Sequence, residues 1–572
     1  MVGQLGWTAE TTHQHQGRSV AEVSTTAAAR RWRLLPGPQG LVVVAAAIAA
    51  ARLGLKPIGD NSTLVHLRTG LELLRTAHVP HADPYSYTAA GHPWVVQSWL
   101  ASLLYGLADR GGHHLLVLEQ GAIMATVGSV IALTARSSTA WRSGVAALLA
   151  VAASAPGWSP RPLMFGMLCL GLTVLVVERR ASPAWMVPVV WLWVNTHGSF
   201  PLGLAWLAAR ALGEAIDARG WPRVTLPRLG GFLAGLAVAL VNPVGARLLT
   251  FPLVALHKRA TFQGIVEWHS PNFQDPNSLI ALIFITGSLV VLLRAALAWA
   301  QLLPVCGFLV LALIAARNLG PLGVILGPAL GFALSAVPPL AGRHAASLRA
   351  SPGASPRGVA PGAVAPSPRW QESTATAMPA PAQETSAAPG GPTVPVGARR
   401  APLAERWAGT VRWAGDFGAH PVWRGSALGV AAVVIGGLCA FSVRGPTIDV
   451  SGYPAKAVDH LAATGRLGPG HHIAAVDVVG CFLIWRVGPG TKVFIDDRYD
   501  MYPRAVIDDA STLGAARDGV RGVLDRRRVD TVVWAVRQAL PEQLRALGGW
   551  HEDFDDGRWV VLERDASNPV VG

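Results

Sequence analysis

Charge is scarce in this sequence. Only 14% of its 572 residues are Asp, Glu, Lys or Arg, where a soluble domain carries about 25%. Hydrophobic residues reach 51% and the mean hydropathy is +0.37, with the apolar residues gathered in long runs. This excludes a single water-soluble globule and implies a polytopic membrane protein. Cysteine is scarce too. Cys169, Cys306 and Cys439 lie in apolar runs and Cys481 stands alone beyond them, so neither a disulfide framework nor a zinc pattern is present. Acids are outnumbered, 34 Asp and Glu against 48 Lys and Arg, for a net charge of +14. Residues 1–29 are polar and no cleavage site follows the first apolar run, so no removable secretory leader is expected.

Windows long enough to cross a bilayer mark about eleven spans. They lie near 39–56, 114–134, 143–157, 162–178, 184–196, 199–213, 229–243, 278–294, 298–316, 320–340 and 425–443. Arg30, Arg31 and Arg33 precede the first span, which sets the N-terminus in the cytoplasm. That choice places Arg136 and Arg142, Arg179 and Arg180, and Arg219, Arg223 and Arg228 in cytoplasmic loops, together with the arginine-rich segment 341–424. The basic excess is thus a positive-inside signature, and no nucleic-acid partner is required.

The chain accordingly divides into a disordered cytoplasmic N-terminus (1–38) and a multi-span membrane domain (39–340) with a large first outer loop (57–113). A Pro/Ala-rich cytoplasmic linker (341–424), a last transmembrane helix (425–445) and an extracytoplasmic α/β domain (446–572) follow. In that last domain KVFID (492–496), DTVVWAV (530–536) and RWVVLE (558–563) read as strands, and 505–527 as one amphipathic helix.

With this orientation the polar residues of interest collect on the outer face: Asp60, His66, Arg68, Asp83, Arg161, His197, Arg247, Glu267, His269 and Arg317, with Asp496, Asp497, Arg498 and Asp500 in FIDDRYD. No GxGxxG or P-loop accompanies FIDDRYD, which leaves nucleotide binding without support. That domain reads as a guide for an acceptor or a cover for a membrane site, with no catalytic role claimed for it.

The outer loop from Asp60, with HADPYSYTAAGHPWVVQSW at 81–99, resembles that of a widespread, uncharacterised bacterial family of polytopic membrane proteins. Further similar motifs are RPLMF (161–165), WVNTHGSF (193–200), NPVGARLL (242–249), EWHSPNF (267–273), ARN (316–318) and KVFIDDRYDMY (492–502). The family is grouped with GT-C-type glycosyltransferases. The resemblance implies a GT-C-like fold and sugar transfer from a polyprenyl-phosphate-linked donor to an envelope glycan or protein acceptor. It also implies residence in the bilayer of a bacterial cytoplasmic (inner) membrane.

Such a reaction needs a carboxylate near the end of the first span to take a proton from a sluggish hydroxyl. Asp60 is there; a turn or cap is its plain alternative. Asp83 and Glu267 are the other candidate acids, Asp83 alternatively a turn former before Pro84. His66 and Arg68 would face the site if their loop is extended, or else anchor the interface. Arg161, Arg247 and Arg317 would grip a lipid phosphate or snorkel singly. His197 in its turn reads as cavity-facing. Glu267 with His269 would bind sugar or metal, although an isolated pair is a weak ligand set. Trp94 and Trp99 belong to an interfacial belt or stack on a sugar. The family often carries a second acid two residues beyond its first, where this chain has Ser62. A metal held by paired acids in that loop is not expected, and any divalent ion is left open. The alternatives are a lipid-linked glycan transporter or flippase and a non-catalytic envelope scaffold. No internal repeat favours the transporter.

Overall fold

The computed structural model describes residues 37–258, 261–262, 265–336 and 421–565. The expected cytoplasmic N-terminus through residue 36 and the expected linker through residue 420 lie outside the described residues. What is described is largely helical, a multi-span membrane architecture with a mixed-sheet domain at its C-terminal end.

Each apolar window falls on a helix. In order these are α1 (Pro38–Gly54), α2 (Asn61–Thr76), α3 (Trp99–Arg110), α4 (His113–Thr134), α5 (Ala140–Ser154), α6 (Leu163–Glu178) and α7 (Met186–Thr196). Then come α8 (Pro201–Ala218), α9 (Thr225–Val238), α10 (Arg247–His257), α11 (Pro276–Leu292), α12 (Trp299–Ile314), α13 (Leu319–Ala336) and α14 (Pro421–Arg444). Three stretches, His113–Thr134, Ala316–Ala336 and Gly425–Ser442, are long and apolar enough to cross a bilayer alone. Others are short; α7, with 11 residues, rises only about 16 Å, half of a hydrocarbon core.

Hydrogen bonds tie the helix ends into two groups. At one end Gln39 donates to the carbonyl of Ser137 (3.1 Å), Ser137 meets Ser335 (2.9 Å), and Arg142 donates to the Leu334 carbonyl (2.8 Å). Arg228 likewise donates to the Ala181 carbonyl at 2.6 Å, and Asp217 accepts from the amides of Trp299 and Ala300 that open α12. These side chains satisfy backbone groups that helix ends leave unpaired. At the other end α1 and α14 deliver their chains side by side. Ile58 donates to the Thr447 carbonyl (2.9 Å) and accepts from Asp449 (3.0 Å), a parallel bridge. The first loop and the C-terminal domain therefore share one face. α14 leaves Val433 75% and Phe441 79% exposed, a surface that lipid covers without cost and water does not.

The C-terminal domain runs α15 (Ala455–Ala463), β1 (Ile473–Ala474), α16 (Asp477–Val487), α17 (Arg504–Gly514), α18 (Val520–Arg526), β2 (Thr531–Ala535), α19 (Ala539–Leu547), β3 (Trp550–Asp555) and β4 (Trp559–Arg564). The sheet order is β1-β2-β4-β3, with β1 parallel to β2 and the other pairs antiparallel. Two expectations are corrected. KVFID is no regular strand; only Val493 pairs, with Ser86 on one side and Ile473 on the other, because the chain turns at once into a buried ion cluster. The expected single helix at 505–527 breaks between α17 and α18, where Ala516 has φ 48° and Gly519 φ 97°, values a helix cannot hold.

Candidate active site

α1 ends at Gly54, and the chain turns through Ile58 to Asp60, the N-cap of α2. The Asp60 carboxylate accepts from the Thr63 amide at 3.2 Å, which satisfies an orphan donor of the first turn, while the Thr63 hydroxyl donates to the Pro160 carbonyl. α2 crosses α3 very closely. A methyl at Gly70 would lie 1.8 Å from the Ser102 carbonyl, and one at Gly106 2.6 Å from the Gly70 carbonyl carbon. That approach lets His66 Nδ1 meet Ser102 Oγ at 2.8 Å.

Around the α2 N-terminus an ion chain assembles from distant parts of the sequence. Asp60 Oδ2 accepts from Arg161 Nε at 2.7 Å, and Arg161 Nη1 donates to Glu267 Oε2 at 2.8 Å. Arg317 Nη1 lies 3.8 Å from Glu267 Oε1 and its guanidinium sits 4.4 Å over the Trp268 ring, which stacks on Phe262. The four charges balance, and all are partly shielded from water: Asp60 is 14% exposed and Glu267 37%. Of the ten candidate residues, Asp60, Arg161, Glu267 and Arg317 thus form one network.

His66 lines a cleft beside it, about 130 Å³, with Ser62, Gln97, Asp497, Arg498 and Asp500. Burial lowers the His66 imidazole to about 4, opposed by Asp60 and reinforced by Arg161 and Arg498. The ring is neutral at pH 7. His197 caps α7 and accepts from the Ser199 amide at Nδ1, 3.2 Å. Next to it, Gly198 donates to Gln97 Oε1 at 2.8 Å, and Asn195 accepts from Trp99 at 2.9 Å.

The other candidates stand apart. Arg68 pairs with Glu72 at 2.7 Å; the loop is a helix, and residues two apart face different ways, so Arg68 does not share the side of His66. Arg247 is exposed at the start of α10, with no ion pair among the described residues. The backbone carbonyl of His269 accepts from Ala316 at 2.9 Å, and its side chain is exposed. Asp83 is fully buried and saturated. It accepts from the amides of Tyr85 and Ser86 (both 3.0 Å), from the Ser86 hydroxyl, and from Arg498 Nη2 at 2.7 Å. A carboxylate so engaged offers no lone pair to a substrate, and its place is structural. Arg498 lies 4.4 Å over the Trp94 ring, and Trp94, only 6% exposed, lines the cleft with His66.

FIDDRYD reaches this site. Arg498 bridges Asp83 and Asp496, and Tyr502 donates to Asp496 at 2.7 Å. Thr88 donates to the Phe494 carbonyl, and Tyr85 and Tyr87 exchange backbone hydrogen bonds with Val493. The 81–99 stretch therefore clamps the C-terminal domain with its first half and the turn after α7 with its second. Asp497 lies against Asn61, whose amide is 3.5 Å from Oδ2. The sequence signal for this was acidity after an apolar run; nothing local disclosed a partner hundreds of residues away.

Among the described residues no group of three or more His, Cys, Asp or Glu side chains is placed to hold a metal ion, and Asp60 is committed to Arg161 and its helix. These residues do not fit a resident divalent ion.

The fold and site define a helical multi-span membrane protein with an acid–arginine chain at its helix ends and a polar cleft lined by His66 and Asp497. No family model matches the sequence, and no curated protein does. Among solved structures, it is similar at 15% identity and TM-score 0.44 to ArnT from Cupriavidus metallidurans bound to undecaprenyl phosphate, over 92% of this chain and 98% of that one. It is similar at 12% identity and TM-score 0.47 to the oligosaccharyltransferase AglB from Archaeoglobus fulgidus, in complex with an inhibitory peptide and a dolichol-phosphate, over 93% and 75%. Likenesses this distant assign no residue a role.

Proposed function

We propose that this protein is an integral membrane glycosyltransferase of the GT-C kind. It moves a sugar from a polyprenyl-phosphate carrier to an envelope glycan or protein at the outer face of a bacterial cytoplasmic membrane. In this reading 39–340 is the membrane domain with about ten crossings, 425–445 the last helix, and 446–572 an extracytoplasmic domain. The linker 341–424 and the N-terminus lie in the cytoplasm.

The observation that carries the reading is the convergence of Asp60, Arg161, Glu267 and Arg317 at the helix ends on the face that bears the C-terminal domain. A lipid-anchored donor keeps its reactive carbon at the membrane surface, so acid and guanidinium groups must meet there. The acceptor hydroxyl gives up its proton to a carboxylate of the site and its oxygen bonds to the anomeric carbon, while the bond from that carbon to the carrier phosphate breaks, its electron pair leaving with the phosphate. Arg161 and Arg317 stabilise that charge. Asp60 holds Arg161 in place, and Glu267 is the counter-ion that the donor phosphate displaces.

The test is transfer by the full chain in proteoliposomes from undecaprenyl phosphate carrying radiolabelled glucose, mannose or arabinose. Asp60→Asn and Arg317→Ala are each expected to reduce transfer at least ~100-fold, as removal of one such stabilising group does. No transfer by the wild type with any donor would leave the scaffold reading. Movement of donor across the bilayer without a new glycosidic bond would establish a transporter.

A further inference from the structure

The Asp60 carboxylate is pinned between the start of its helix and Arg161. Oδ1 accepts from the Thr63 amide and Oδ2 from Arg161. A base needs a lone pair free to meet the hydroxyl it deprotonates. Across Asn61 a second carboxylate is differently placed. Asp497 is touched by neutral donors, the Asn61 amide at 3.5 Å and the Ser62 hydroxyl, and it lines the cleft with His66 and Gln97. The adjacent cation, Arg498, is turned away to Asp83 and Asp496.

This placement is built in. A methyl at Gly480 would lie 1.9 Å from the Ile495 carbonyl, so only glycine lets α16 pack this close to the FIDD segment. The Asp497 amide then reaches Cys481 Sγ at 3.4 Å, which aims the side chain toward α2. Arg498 Nη1, buried at the same cleft, has no hydrogen-bond partner among the described residues.

We propose that the cleft between α2 and the FIDDRYD segment receives the acceptor, a neutral hydroxyl-bearing glycan or polyol, and that Asp497 takes the proton of its attacking hydroxyl. The proposal rests on the glycosyltransferase reading above. As the acceptor oxygen bonds to the anomeric carbon, its O–H bond breaks toward Asp497 and the carrier leaves as polyprenyl phosphate. The proton then passes from Asp497 to solvent. Asp500 beside Asp497 makes the cleft unwelcoming to a phosphorylated acceptor, whereas the donor phosphate belongs with Arg161 and Arg317.

Burial, and after it Asp496, push the Asp497 carboxyl up to about 7, with Arg161 and Ser62 opposing and Asp60 reinforcing. A base is most effective with its proton affinity near the working pH. The other titratable and charged groups facing it are His66 from α2, Asp500 and Arg498 from its own segment, Asp477 and Cys481 from α16, and Tyr453 and Tyr499. His66 is neutral throughout this range, and Asp500, which burial raises to about 6, changes charge below Asp497.

The experiment uses the full chain in proteoliposomes, the donors named above, and methyl glucoside, mannoside and arabinoside as acceptors, over pH 5 to 9. Wild-type transfer is expected to rise with pH through about 7. Asp497→Asn should lower it ~100-fold or more and abolish that rise, while Asp497→Glu restores transfer with a displaced pH profile. Asp497→Asn with wild-type rate and profile would overturn the assignment and leave the glycosyltransferase reading standing. Asp497→Glu as inactive as Asp497→Asn, with wild-type melting behaviour and an unchanged residual pH profile, would also overturn it. No transfer by the wild type from any donor would remove the glycosyltransferase reading and this assignment together.

Discussion

Arg498→Met removes the cation shared by two buried carboxylates. Asp83 and Asp496 are both 0% exposed and Arg498 is 7% exposed, with ion-pair distances of 2.7 and 2.6 Å. Asp83 keeps its donors from Tyr85 and Ser86; Asp496 keeps Tyr502 and the residue-498 amide. Breaking a buried ion pair from one side costs about 3–5 kcal/mol. Loss of the guanidinium over the Trp94 ring, at 4.4 Å, adds about 0.5–2 kcal/mol. The expected destabilisation is about 4–6 kcal/mol at pH 8. Because Asp83 lies in the first loop and Asp496 in the C-terminal domain, the loss should fall on the junction between them. The assay is SDS titration of detergent-solubilised protein, followed by protease release of the C-terminal domain. A change below about 1 kcal/mol would refute the argument, because it would mean that water reaches the cluster.

Four further outcomes are expected. Gly480→Ala should destabilise the C-terminal domain and impair transfer, since its methyl meets a backbone carbonyl that cannot move aside; a wild-type melting temperature would contradict this close packing. His66, its proton affinity lowered to about 4 by burial, is neutral when folded and charged when unfolded between pH 6.5 and 4. Stability should therefore fall as pH drops through that window, and His66→Asn should flatten the fall in thermal melts. Asp497 runs the other way: its raised carboxyl destabilises the fold as pH rises from the usual carboxylate range through about 7, so Asp497→Asn should melt higher than wild type at pH 8. Finally, alkaline phosphatase fused after residue 565 should be active in cells, and inactivity would reverse the proposed orientation.

The candidate site was legible in part, for reasons that particular residues make plain. Asp60, Arg161, Glu267 and Arg317 sit in short polar motifs between apolar runs, where a charge is conspicuous. Arg68 and Arg247 sit in equally conspicuous places, yet one faces away on a helix and the other lies exposed. Asp83 announced itself through Asp-Pro-Tyr-Ser-Tyr-Thr, but as a buried strut for Arg498. Asp497 follows an apolar run, with no local sign of a partner, and lies at Asn61.

Sequence by itself determined that this chain belongs in a membrane and roughly where its helices run, because hydrophobic length is a local property that a bilayer reads directly. The arginines in alternate loops pointed to which ends lie together, and the hydrogen bonds among those ends agree. Only the tertiary structure decided which charges meet. Pairing of a side chain depends on close helix crossings such as Gly70 with Gly106 and Gly480 with Ile495, and those join residues that no local pattern connects. HADPYSYTAAGHPWVVQSW reads in sequence as an ornamented loop; folded, it holds the C-terminal domain against the mouth of the membrane helices.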